Sequence, residues 1–83
     1  MSNDDVTAIE NSVSVISNSV VQIISTNQTI KDVQVHNILG QLLYKREVNS
    51  NNVVIKSLSK NNVTLIVKIT LKDNREIVKK ILY

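Results

Sequence analysis

Between Val63 and Leu71 every second residue is aliphatic: Val63, Leu65, Val67, Ile69 and Leu71 alternate with Thr64, Ile66, Lys68 and Thr70. Successive side chains of a β-strand point to opposite faces, so this run lays one unbroken aliphatic row on a core and a mostly polar row opposite it. It reads as a central strand. Lys72-Asp73-Asn74 then interrupts the pattern with turn-forming residues, and Arg75 to Tyr83 resumes it with Ile77, Val78, Ile81 and Leu82. A closing β-hairpin is predicted, with its last strand the last element of the protein.

The rest of the chain is suited to the same architecture. Val (13), Ile (11) and Thr (5) supply 29 of 83 residues, and β-branched side chains fit a pleated sheet better than a helix, where they lose χ1 freedom. With no Pro and one Gly, the turns fall to Asn, Asp and Ser, whose short side chains bond nearby backbone and tolerate left-handed conformations. A chain this short buries only about 60 to 65% of the surface its unfolded form exposes, so one small domain of modest stability is expected.

Residues 1–11 are acidic and polar and read as a linker or frayed start, leaving residues 12–83 as the domain. Val6, Ile9, Val13, Ile16, Val20 and Ile23 follow the spacing of an amphipathic helix. The body of that segment is Val, Ile, Ser, Asn and Thr, all weak helix formers, so two strands, Ser12 to Ile16 and Val20 to Ser25, are preferred. Ile30 to Asn37 alternates with Val33 and Val35 on one face and Gln34 and His36 on the other. Gly40, between Ile38-Leu39 and Gln41-Leu42-Leu43-Tyr44, marks a hairpin or bulge that needs positive φ. The following strand is expected to reach about Val48, Asn49 to Asn52 to form a loop, Val53 to Ile55 a short strand, and Ser57 to Asn62 a connection anchored by Leu58. About seven short strands at spacings near ten residues predict an all-β fold, a small immunoglobulin-like β-sandwich.

The chemistry is sparse. Without Cys there is no disulfide, no cysteine-based zinc site and no thiol nucleophile. His36 stands on a polar strand face with no acidic cluster nearby in sequence, which fits an exposed polar residue. Asp4 and Asp5 lack the spaced carboxylates and glycine turn of a calcium loop. No phosphate-cradling loop, nucleophile elbow or paired-acid spacing occurs, so neither an enzyme nor a catalytic residue, metal, cofactor or small-molecule substrate is expected. No apolar run is long enough to span a bilayer as a helix, and Met1 to Asp5 lack the pattern of a signal peptide. From Lys56 onward seven basic residues face two acidic ones. A nucleic-acid surface would add stacking aromatics, and Tyr44 and Tyr83 are the only aromatics. The lysines therefore read as solubilising charges on strand faces and edges.

Four stretches in order, Ile30 to Tyr44, Asn49-Ser50-Asn51, Ile66-Val67-Lys68-Ile69 and Lys79-Lys80-Ile81-Leu82-Tyr83, resemble the C-terminal sorting domains of cargo proteins of the bacterial type IX secretion system, found in gliding and oral Bacteroidetes. The resemblance spans roughly Ser12 to Tyr83. It departs from the commonest class in two places: Ser17-Asn18-Ser19 stands where that class has a Pro-Asn-Pro turn, and Val63-Thr64-Leu65 where it has Gly-x-Tyr. These departures are similar to a divergent, flavobacterial-like subclass. The resemblance implies a non-enzymatic module at the end of an exported cargo, folded in the periplasm in transit. There it would be recognised by the outer-membrane translocon, a shuttle protein and a sortase-like peptidase, with the cargo delivered to the cell surface or the medium. Lys79, Lys80, Ile81, Leu82 and Tyr83 are the expected recognition residues, and Gly40 a structural turn. The alternative is an immunoglobulin-like adhesion or spacer module of the cell surface.

Overall fold

The computed structural model describes residues 13–83, so the expected linker over residues 1–11 lies outside the described residues. Seven strands follow in order: β1 Val13–Ser17, β2 Val21–Ser25, β3 Ile30–Asn37, β4 Leu42–Ser50, β5 Asn52–Ile55, β6 Thr64–Leu71 and β7 Glu76–Leu82. They make two antiparallel sheets, β1-β2-β5 and β4-β3-β6-β7. Hairpins β3–β4 and β6–β7 build the larger sheet around the β3–β6 pairing, while β5 crosses back to pair with β2. This is the immunoglobulin-like order, with β4 placed beside β3 as variable-type domains place their extra strand. Among the described residues no helix forms. The helical spacing through Val13, Ile16, Val20 and Ile23 is overridden by strand alternation, which buries Val13, Val21 and Ile23 and leaves Ile16 exposed.

The core lies between the sheets. Leu65, Val67, Ile69 and Leu71 of β6 face Val21 and Ile23 of β2 and Val53 and Ile55 of β5, with Val33, Val35 and Ile77 alongside. Val63, expected to begin the β6 row, is 45% exposed. Asn62 takes a left-handed φ of 54° immediately before it. β6 therefore starts at Thr64, although Val63 still accepts a hydrogen bond from the Tyr83 amide (2.9 Å). Leu58 packs against the core from the β5–β6 connection, as expected.

The turns follow the Asn and Gly chemistry. Gly40 has φ 84°, and positive φ also occurs at Asn49, Asn62 and Asn74. Asn37 holds the β3–β4 turn together: its amide N donates to the Gln41 carbonyl, and its Oδ1 accepts from the amides of Leu39 and Gln41, each at 3.0 Å. In the β6–β7 turn Gln28 Nε2 donates to Asp73 Oδ2 (3.0 Å) and Arg75 Nε lies 3.1 Å from it. The Gln28 bond, with help from the amide and charge of Arg75, holds the Asp73 carboxyl below its ordinary pKa.

The expected loop Asn49 to Asn52 is a correction. β4 runs through Ser50 and β5 begins at Asn52, so Asn51 alone separates a strand of one sheet from a strand of the other. A register shift near Asn49 bends β4 toward the second sheet, the usual device for a strand that turns a sandwich corner. Asn51 secures the corner. Its carbonyl accepts from the Ser25 amide (2.8 Å), and its Nδ2 donates to the carbonyls of Ser25 (3.1 Å) and Gln28 (3.3 Å). An Asn-rich run serves here because Asn tolerates left-handed φ and its side chain stands in for ladder bonds.

Candidate functional site

The residues singled out at the end of the chain sit on and just beyond β7, an edge strand. Strand alternation divides them. Ile77, Lys79 and Ile81 share the inward side, buried or half-buried, whereas Val78 (56% exposed), Lys80 and Leu82 (64%) stand on the outer surface of the sheet. The core therefore takes its contacts from the inner β7 face, while Val78 and Leu82 are largely open to solvent. Lys80 lies opposite Ile66, and Ile66 opposite His36. The half-buried His36 thus has no carboxylate directly across from it, and among the described residues no cluster of His, Asp and Glu is disposed to hold a metal ion.

Tyr83 differs from its neighbours. Its ring is 3% exposed and its hydroxyl donates to the Ser19 carbonyl (2.8 Å). Its amide donates to the Val63 carbonyl and its own carbonyl accepts from the Asn61 amide, both at 2.9 Å. Lys60 Nζ lies 5.8 Å from the ring centroid and donates to the Asn18 carbonyl (2.8 Å). Tyr83 is thus a clamp joining the β1–β2 turn to the β5–β6 connection. Within this group Lys80 and Leu82 are exposed, Lys79 and Ile81 half-buried and Tyr83 buried.

A second feature is an apolar groove of about 620 Å³ at the same end of the sandwich, between the β3–β4 turn and the chain leading into β6. Ile38, Leu39, Leu43, Val63 and Leu65 line it, with Asn37, Asn61 and Thr64 supplying polar groups. Ile38 and Leu39 are 72% and 80% exposed. Sequence reading passed over them as flanks of a turn, although two consecutive aliphatics at the tip of a hairpin, beside the sole Gly, are a signal in themselves. Leu43 reaches the groove because β4 carries an extra residue between Tyr44, which pairs with Val35, and Leu42, which pairs with His36.

The described acidic side chains are confined to one end of the sandwich, where Lys31, Lys72 and Arg75 accompany them. The four acidic groups among the described residues, Asp32, Glu47, Asp73 and Glu76, gather at the end away from the groove: Asp32 pairs with both Thr70 and Glu47, Glu76 also pairs with Thr70, and Asp73 lies in the adjoining turn. Lys56, Lys60 and Lys80 lie toward the groove end. No curated protein matches the chain. A family model described as a domain of unknown function (DUF8694) matches residues 1–83, and the chain belongs to that family.

Proposed function

We propose that the domain is an address label: a C-terminal sorting module that directs an exported cargo through the outer-membrane translocon of a type IX system. The observation that carries this reading is where its four resembling stretches fall. Ile30 to Tyr44 is β3, its turn and the start of β4; Asn49-Ser50-Asn51 is the end of β4 and its corner; Ile66 to Ile69 lies in β6; Lys79 to Tyr83 is the end of β7 and its clamp. All four belong to one sheet and its margin, and the outward side chains of three of them, among them Gln34, His36, Ile66, Lys68 and Lys80, share one face on which a partner could meet them together. In this reading the module is recognised and acts on nothing itself. Translocon, shuttle and sortase-like peptidase are its partners, and periplasm then cell surface or medium its route.

The test fuses residues 12–83 to the end of a reporter bearing an export signal, in a type IX-competent bacterium. The reporter is expected outside wild-type cells and retained in cells lacking the translocon; equal release from both would refute the reading. Lys80→Ser with Leu82→Ser is the informative variant, because both side chains face solvent and exposed substitutions usually shift stability by no more than about 0.5 kcal/mol. Secretion should fall while the fold persists. The second reading, an adhesion or spacer module, draws on the exposed apolar groove and is indicated if the translocon makes no difference.

A further inference from the structure

We infer that the groove is a docking site for an acidic protein segment that inserts an aliphatic or aromatic side chain between the β3–β4 turn and Val63. The inference is independent of the sorting role, since a spacer or an address label could equally use such a site. Three observations on the molecule lead to it. The groove is concave, about 620 Å³, and lined mainly by aliphatic side chains, within the size range of sites that accept a ligand or anchoring side chain. Isolated exposed aliphatics are ordinary, but here Ile38, Leu39, Leu43 and Val63 are exposed around one hollow, and contiguous apolar patches mark interaction surfaces.

Charge then selects the partner. Asp32 lies five residues before Asn37 on β3, so the acidic end is about 17 Å from the groove rim at strand rise. That exceeds the Debye length of about 8 Å at physiological ionic strength. The groove end therefore carries Lys56, Lys60 and Lys80 and no Asp or Glu side chain among the described residues, so the groove, itself lined by uncharged residues, opens at the net positive end of the sandwich. Acidic groups flanking an apolar anchor complement that arrangement, the polar rim assisting orientation and the apolar floor supplying affinity. Asn61 and Thr64 offer amide and hydroxyl groups of the kind an extended backbone can bond, whereas the Asn37 side chain is engaged within the β3–β4 turn. An anionic bilayer shares the charge but not the shape, because interfacial binding rewards a protruding apolar face rather than a walled hollow.

The experiment is peptide display: a random twelve-residue phage library is selected on the immobilised intact chain, and enriched peptides are resynthesised and measured by fluorescence anisotropy. Enrichment of Asp or Glu flanking Leu, Ile, Phe or Trp is expected. Their affinity should fall about tenfold or more in Leu39→Ser, as for an anchor contact, and should weaken with added salt and in Lys56→Glu/Lys80→Glu. These side chains are exposed, and an unchanged circular dichroism melt verifies each variant. Enrichment of neutral or basic peptides, no enrichment at all, or equal binding by folded Leu39→Ser overturns the inference. So does cosedimentation with phosphatidylglycerol vesicles that Leu39→Ser abolishes in the absence of any acidic-peptide binding, which would assign the groove to a membrane surface.

Discussion

The two hairpins of the larger sheet close through turns built alike. Asn37 bonds Gln41 across Ile38-Leu39-Gly40, and Leu71 bonds Arg75 across Lys72-Asp73-Asn74. The third loop residue is left-handed in each, Gly40 at φ 84° and Asn74 at φ 69°. Such three-residue loops need that conformation at that place, and it costs an ordinary L-residue roughly 1 to 2 kcal/mol. A Cβ at Gly40 would meet no atom within 4 Å, so the cost of substitution is conformational and not steric against neighbours. Gly40→Asn is expected to unfold in urea close to the parent, and Gly40→Val to lose about 1 to 2 kcal/mol. Equal losses in both would show that something other than φ governs the site.

At the scale of elements, β6 tests how far alternation can be trusted. Leu65 and Ile69 are 2% and 0% exposed, and truncating either to Ala should cost about 2 to 5 kcal/mol. Thr70→Ala and Val63→Ala should each stay within about 1 kcal/mol in thermal melts, a Val63 loss as large as that of Leu65 being the contrary result. The strands were legible because a period of two is written locally: β3 runs over the predicted Ile30 to Asn37, and the inward faces of β3 and β6 follow from it. The row failed only at Val63, where a left-handed Asn stops the strand, and the Asn49 to Asn52 run concealed a corner because loops and corners use the same residues. Nor was the pairing of β2 with β5 legible, since it depends on residues distant in sequence finding a shared core. The same limit hid the candidate site. Tyr83 is buried by contacts with Ser19, Asn61 and Val63, none of which its neighbours in sequence announce, and the groove exists only once the β3–β4 turn and the chain before β6 are brought side by side.

For the whole molecule, Tyr83 is where the two sheets are fastened at the groove end. Tyr83→Phe removes the bond to the Ser19 carbonyl and should cost about 1 kcal/mol, whereas Tyr83→Ala also empties the ring's site and should cost about 3 to 5 kcal/mol. Against a total of about 5 to 15 kcal/mol for a typical domain, the second change approaches global unfolding. A guanidinium titration distinguishes the two, and equal midpoints for both variants would mean that the ring itself packs little. β1 and β7 run the same way along neighbouring margins of the two sheets, Ser17 Oγ reaching the Leu82 carbonyl at 3.2 Å. Val13 therefore lies at one end of the sandwich and Tyr83 at the other. Tension applied between them runs parallel to the strands and loads the β1–β2 and β6–β7 ladders in shear, so many bonds must yield together and none can be unzipped in turn.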